Sequence, residues 1–202
     1  MLRRLAVPLL LGALGALAGP AAAYRYVSPR QARWEKPVVT YSVSGPLAAP
    51  VARGARAWNR LGLRVRLARV GSPAEADVRI RSRGGPCSGA VGQTDVREVR
   101  FSDGVRSFAL ITGPFDLRIA AGCGPMTAYI AAHELGHALG LGHELRRCAL
   151  MNPEGDADLA RPQCPRRPAA YWLAHLIQPD DARGVRALYA RALRPRLYDE
   201  LP

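Results

Sequence analysis

The stretch HELGHALGLGH at residues 133–143 holds three of the four histidines in the chain. His133 and His137 stand four residues apart, so on a helix their side chains leave the same face and can meet one metal ion. A catalytic zinc needs a third protein ligand and one open position for water. Gly140 can adopt the backbone conformation of a sharp turn, which would bring His143 to the same ion from the far side. The spacing therefore predicts a zinc site made by these three imidazoles.

Glu134 follows the first predicted ligand and would lie beside the metal without binding it. A zinc ion lowers the pKa of its water to about 7, and a nearby carboxylate can accept the proton and pass it to the leaving amine. We therefore expect Glu134 to be the general base. The alternative is that the histidines are ordinary core residues, but five specified positions in eleven arise by chance on the order of once in ten thousand such chains. His175, the fourth histidine, has no partner at ligand spacing and is expected at or near the surface.

Hydrophobic patterns before this stretch predict strands around one helix. VVTYSVSG at 38–45 has the β-branched and aromatic content of a strand, and apolar residues at helical spacing follow at 46–61. Residues 63–70 and 76–82 alternate apolar and arginine side chains, which is the period of half-buried strands. Further short strands are expected at 89–94, 107–112 and 116–120.

Two helices are expected in the second half of the chain. Residues 126–141 form the most helical window and end at glycines suited to a left-handed cap. Pro179 at a first helical position, followed by Asp180 and Asp181, marks the start of the last helix. The segment between the two helices is expected to form turns through Pro153, Pro162, Pro165 and Pro168.

The first residues carry the pattern of an export signal. Two arginines precede an apolar run, and an A-x-A sequence at 21–23 suits a cleavage site. Residues 1–23 are therefore expected to be a signal peptide of a secreted protein, although an uncleaved membrane anchor is the alternative. The remaining residues, 24–202, have the length of a single catalytic domain, with a core at about 34–193.

Four cysteines, Cys87, Cys123, Cys148 and Cys164, are expected to form two disulfides in an oxidising compartment. Three connectivities exist. Order along the chain favours Cys87 with Cys123 and Cys148 with Cys164, because each pair brackets one loop-rich segment. A cysteine zinc site is the competing interpretation, but the chain contains no C-x-x-C pair.

The formal net charge of +13 comes almost wholly from arginines scattered among alanine, glycine and proline. Such a charge favours weak attraction to anionic surfaces, which salt would reduce. No run of basic residues is interleaved with aromatics, so we expect no nucleic acid partner. We expect a monomer whose partners are protein or peptide substrates.

The HExxHxxGxxH pattern, followed by Met151 in CALMNP at 148–153, resembles the metzincin metalloendopeptidases, and within them the matrixins. The connector before Met151 is short, as in matrixins. Three further segments are similar to matrixin segments: ADVRI at 76–80, GAVGQT at 89–94 and PDDARGVRALY at 179–189. The resemblance implies an α+β fold, with a twisted mixed sheet, an active-site helix, a C-terminal helix and a cleft between upper and lower subdomains.

The resemblance also implies roles for single residues. Met151 would form the floor beneath the metal, and substrate would lie extended along an edge strand near 89–94. Asp180 and Asp181 match a pair that anchors the last helix to the methionine turn, although helix N-terminal charge would explain them equally well. Asn152 stands where some metzincins carry a tyrosine, so no phenolic helper is expected. We expect one zinc ion. Structural calcium is left open, because the acidic residues are scattered and their pattern does not indicate where such an ion would bind.

The sequence leaves three functions open. A secreted zinc metalloendopeptidase is the first hypothesis. A basic zinc-containing binding or adhesion module without proteolytic activity is the second, but it would have no need of Glu134 beside the metal. A zinc amidohydrolase acting on cell-wall peptides is the third, and it would use the same chemistry.

Overall fold

A computed structural model describes residues 25–84, 87, 92–102, 107–153 and 161–190. Its strands are β1 (Val38–Val43), β2 (Arg66–Arg69), β3 (Val78–Arg83), β4 (Gly92–Thr94), β5 (Arg97–Ser102), β6 (Ser107–Thr112) and β7 (Phe115–Ala120). Its helices are α1 (Ala48–Asn59), α2 (Met126–Ala138), α3 (Ala169–Ala174) and α4 (Pro179–Tyr189). The expected signal segment at 1–23 lies outside the described residues.

Five strands form one mixed sheet in the order β2-β1-β3-β7-β4. The first four run parallel, and α1 makes the crossover from β1 to β2 that a parallel pair requires. Strand β4 pairs antiparallel with β7 and lies at the edge of the sheet. The edge strand expected near 89–94 is thus found at Gly92–Thr94, while 89–91 lie outside the described residues. Strands β5 and β6 form a separate hairpin.

One side of the sheet is apolar because alternate residues of each strand share a face. Inward residues such as Val78, Ile80 and Leu117 are buried, whereas Arg118 is exposed. Helices α1 and α2 join the same core and touch each other closely at Gly54, where an added Cβ would lie 3.0 Å from the backbone of α2. The site-bearing helix is therefore held between α1 and the sheet.

The predicted order of strand, helix, strand and strand is confirmed, and the α+β class with a mixed sheet is confirmed. The two expected disulfide pairings are present, Cys87 with Cys123 and Cys148 with Cys164. His175 is exposed and stacks on Tyr171, as expected of a surface residue. Among the residues that the structure describes, none of the helices has the length and apolar character needed to cross a bilayer.

Three expectations about secondary structure were wrong. The helix expected at 126–141 stops at Ala138, because a left-handed glycine ends it. Strand β5 was missed, and the segment expected to be turns contains α3. Helix α3 has only six residues, too few for a helical period to stand out, and burial of Trp172 fixes it to the core.

Candidate metal centre

Helix α2 carries two of the predicted ligands and ends just beyond them. Gly140 has a φ of +100°, and its N–H donates to the His137 carbonyl at 2.8 Å. The next N–H, of Leu141, reaches back to the Gly136 carbonyl at 3.0 Å. These two bonds form a Schellman cap, which turns the chain sharply at the glycine. The turn carries His143 back to the two helical histidines, as the sequence predicted.

The three histidines converge on one point. One ligand nitrogen from each of His133, His137 and His143 lies within 4.8 Å of the others. The Nε2 atoms of His137 and His143 are 3.1 Å apart. Two nitrogens bound tetrahedrally at about 2.0–2.1 Å from zinc would be separated by about 3.3 Å. The spacing of this pair therefore fits a shared zinc ion.

Backbone carbonyls orient two of the rings. His133 Nδ1 lies 2.9 Å from the Leu150 carbonyl oxygen, and His137 Nδ1 lies 2.7 Å from that of Leu141. Since a carbonyl oxygen can only accept, each Nδ1 carries the proton and donates it. The Nε2 lone pairs then face the point of convergence, which is the arrangement that second-shell partners impose on metal-binding histidines.

Burial keeps these imidazoles neutral. Burial, and then the neighbouring His137, lowers the pKa of His133 to about 3. Burial lowers the pKa of His137 to about 4 and also lowers the pKa of His143. Neutral imidazole is the form that binds a metal. The three imidazoles are therefore deprotonated at neutral pH, so a metal ion would not have to displace protons from them.

Glu134 is held against the edge strand. Its Oε2 accepts a hydrogen bond from the Thr94 hydroxyl at 2.5 Å. On the other side, a Cβ added to Gly92 would overlap Glu134 Oε1, so the glycine leaves the carboxylate its space. Burial raises the pKa of Glu134 to about 7, and the bond from Thr94 opposes this shift. Strand β4 thus fixes the carboxylate from both sides, and no sequence pattern had singled out Thr94 for this role.

Met151 lies under α2, as the sequence led us to expect. It is buried, and a Cβ added to Gly136 would overlap its sulfur. The glycine that precedes His137 on the helix therefore allows the methionine turn to pack directly beneath the predicted ligands. This close approach explains why a residue without a side chain stands between His133 and His137 on the helix.

Asp181 joins the last helix to the methionine turn. Its carboxylate accepts the backbone N–H groups of Leu150 at 2.7 Å and Met151 at 3.1 Å. It also accepts the N–H of Gln178 at 2.9 Å, which caps the start of α4. Burial raises the pKa of Asp181 to about 6, and the three N–H donors oppose the shift. The sequence offered two interpretations of this aspartate, an anchor for the methionine turn and an acidic residue at a helix start. Both are correct, because the same carboxylate binds the turn and caps α4.

Asp180 has a different role from its neighbour. Its Oδ1 pairs with Arg183 at 2.8 Å and with Arg147 at 3.6 Å, while its buried Oδ2 has no hydrogen-bond partner. Both arginines are partly exposed, with side chains 54% and 43% accessible. The expected anchoring by an aspartate pair is therefore found at Asp181 alone.

Asn152 closes the connector between His143 and the methionine turn. Its Nδ2 donates to the carbonyls of Glu144 at 2.7 Å and Arg147 at 2.9 Å, and its Oδ1 accepts from Ala149 N–H at 3.0 Å. These bonds tie its side chain to the backbone of this loop. That no phenolic helper acts at this position stays a prediction.

Part of the chain, including the three histidines, is similar to known proteins. The matrixin family model matches residues 121–190. Matrix metalloproteinase-19 of Mus musculus is 41% identical over 71 residues, which cover 35% of this chain and 11% of that protein. Matrix metalloproteinase-19 of Homo sapiens has the same identity and coverage. The chain thus matches only 11% of the length of these relatives. The similarity to the matrixins thus covers residues 121–190, which include the three histidines, Met151 and α4.

Proposed function

We propose that this chain is a secreted zinc-dependent endopeptidase. The single observation that carries the proposal is the convergence of three neutral imidazoles beside a buried, positioned carboxylate. Residues 1–23 act as the export signal, and residues 24–202 form one catalytic domain. The local match to matrix metalloproteinase-19 and the paired cysteines support export to an oxidising space.

The residues of the site divide the work of peptide hydrolysis. His133, His137 and His143 would hold one zinc ion through Nε2. The ion would supply a Lewis acid for the scissile carbonyl and for the attacking water. Glu134 accepts the proton of that water and delivers it to the amine nitrogen as the peptide bond breaks. Thr94 holds the Glu134 carboxylate in place through its hydrogen bond to Oε2.

The substrate is a protein or peptide segment in extended form. Strand β4 pairs with β7 on one side, and no strand among the described residues pairs with its other side. An extended peptide can add backbone hydrogen bonds to such an edge. Because Thr94 of this strand touches Glu134, a peptide on the edge passes directly beside the catalytic carboxylate. Unfolded segments and exposed loops are therefore the substrates, and the chain acts as a monomer.

Cleavage of a mixed peptide library tests the proposal. The zinc-loaded protein should cut peptides, a chelator should abolish the cutting, and added zinc should restore it at one ion per chain. Mass spectrometry of the products identifies the bonds that are cut, and elemental analysis measures the zinc. If the zinc-loaded protein binds the ion but cuts no peptide, a zinc-containing binding module replaces the proposal. Cutting restricted to cell-wall peptides would make the protein an amidohydrolase.

Thr94→Val should lower kcat by about tenfold with little change in KM. Valine has the shape of threonine but cannot donate to Glu134 Oε2, and a hydrogen bond to a charged group contributes about 1.5–3 kcal/mol. Steady-state kinetics on one peptide measures the change, and Thr94→Ser is the matched control because serine keeps the hydroxyl. A loss in Thr94→Ser as large as in Thr94→Val would refute this role.

A further inference from the structure

Residues 25–28, which we call the strap, lie against the turn that follows α2. The Val27 N–H donates to the Gly140 carbonyl at 3.0 Å, and the Gly142 N–H donates to the Arg25 carbonyl at 2.8 Å. The two bonds enclose one residue of each segment, and these two residues form an antiparallel β-bridge. Backbone bonds of this kind fix the register and the spacing of two chain segments. The strap therefore holds the turn in one place.

The residue at the centre of the turn, Leu141, is bound from the other side by α2. Its carbonyl oxygen lies 2.7 Å from Nδ1 of His137, and its N–H donates to the Gly136 carbonyl at 3.0 Å. The turn thus lies between the helix and the strap. Since His143 follows two residues later, its position depends on both contacts, and only the helix belongs to the stretch 133–143.

The strap lies too close to the turn for a side chain at Gly142. A Cβ added there would lie 2.7 Å from the Tyr26 carbonyl oxygen and 2.9 Å from its carbonyl carbon. Both atoms belong to the backbone, so the strap itself would have to move. Gly142 does not have a positive φ, unlike Gly140, so an alanine can adopt its backbone conformation. An alanine at this position would therefore displace the strap without straining the turn.

The strap is itself fixed to the rest of the fold. The Tyr26 hydroxyl donates to the Gly184 carbonyl of α4 at 3.5 Å, and Ser28 is buried. Shortly after the strap, the indole N–H of Trp34 donates to the Ala138 carbonyl at the end of α2, at 2.8 Å. Contacts with both helices thus hold the strap beside the turn.

We propose that the strap positions His143 and thereby raises the affinity of the three histidines for zinc. His133 and His137 are fixed by α2, whereas His143 lies beyond the helix and is exposed. Ordering a loose ligand at the moment of binding costs conformational entropy. Because the strap orders the turn, this order exists before the ion binds. The inference rests on the proposed zinc site and adds to it a positioning segment outside the histidine motif.

Gly142→Ala tests this role through zinc affinity. The added methyl group pushes the strap away, and the Kd for zinc should rise about tenfold, which matches the net contribution of one backbone hydrogen bond. Competition with a chelator measures the Kd. Gly71→Ala is the matched control, because a Cβ added to Gly71 meets no atom within 4 Å. It should leave the Kd within about twofold of wild type, as is usual for a surface substitution.

Thermal unfolding of the zinc-free variants separates ligand positioning from a merely structural role. A strap that only stabilises the fold would lower the unfolding temperature of Gly142→Ala and leave the zinc Kd of the folded protein unchanged. A strap that positions His143 raises the Kd of the folded variant. An unchanged Kd in folded Gly142→Ala therefore overturns the proposal.

Hydrogen exchange tests the same coupling in the wild-type protein. Coupling between two sites is reciprocal, so zinc must stabilise the strap by the factor with which the strap favours zinc. Exchange of the Val27 N–H should therefore slow about tenfold when zinc binds. The Gly62 N–H, which donates to the Asn59 carbonyl at the end of α1, is the control and should keep its rate. This measurement needs no variant, so it stands if Gly142→Ala does not fold.

The outcomes separate the strap from the endopeptidase. Equal exchange of the Val27 N–H with and without zinc overturns the role of the strap and leaves the endopeptidase intact. If the wild type shows the expected zinc affinity and exchange but cuts no peptide, the endopeptidase falls and the role of the strap stands. If the wild type binds no zinc, both proposals fall together.

Discussion

Glu134→Gln should lower kcat/KM for peptide cleavage by about 10²- to 10⁴-fold, the contribution typical of a general acid–base group. Glutamine keeps the size of the side chain and an oxygen that can accept from the Thr94 hydroxyl. It cannot take a proton from water at neutral pH. The three histidines are untouched, so the variant should still bind one zinc ion per chain. Cleavage kinetics and zinc content, measured on the same preparation, test both halves of this prediction.

Glu144→Gln is the matched control for this variant. Glu144 also directly follows a predicted zinc ligand and is buried, but its Oε1 accepts the backbone N–H groups of Arg146 at 2.6 Å and Arg147 at 3.0 Å. The carboxylate of Glu144 thus binds the backbone of the connector loop, whereas that of Glu134 binds Thr94 on the edge strand. Cleavage by Glu144→Gln should stay within about threefold of wild type. Equal activity of Glu134→Gln and wild type would show that the proton is handled elsewhere.

The convergence of the three histidines could be predicted from the sequence because its geometry is local. His133 and His137 are brought together by the helical repeat alone, and Gly140 provides the left-handed residue that a Schellman cap needs. The position of His143 then follows from the turn. Only backbone conformations within eleven residues are involved, so a single stretch of sequence was enough.

The contacts that tune the site could not be predicted in this way. Thr94 lies 40 residues before Glu134 in the sequence, and the strap at 25–28 lies still further from Gly140. Each pair meets only because the sheet and the helices fold together. Contacts between residues so far apart in the sequence leave no periodic pattern. A single threonine in a turn-rich segment also matches no motif.

The two aspartates of α4 were predicted in part: their place at the helix start was predicted, but their long-range contacts were not. The sequence correctly placed Asp180 and Asp181 at a helix start, where acidic residues are favoured. It could not tell which of them faces the methionine turn, because that depends on how α4 is rotated against the core. The structure gives Asp181 three buried backbone donors and gives Asp180 two partly exposed arginines.

Asp181→Ala should lower the free energy of unfolding of the zinc-free protein by about 3–5 kcal/mol, because each lost hydrogen bond to a charged group is worth about 1.5–3 kcal/mol. The N–H groups of Leu150, Met151 and Gln178 would lose their acceptor inside the core. Urea unfolding at neutral pH measures the change. Zinc affinity should fall with it, since the Leu150 carbonyl that orients His133 belongs to the same turn.

Asp180→Ala distinguishes this anchoring from a general effect of acidic residues at the helix start. Asp180 is as buried as Asp181, but its partners Arg147 and Arg183 can turn to solvent when the carboxylate is removed, and its Oδ2 loses no hydrogen bond. Ion pairs with exposed partners contribute about 0–1 kcal/mol. Asp180→Ala should therefore cost about 1 kcal/mol or less, with zinc affinity unchanged. Similar losses in the two variants would mean that the helix terminus, and not the methionine turn, needs the charge.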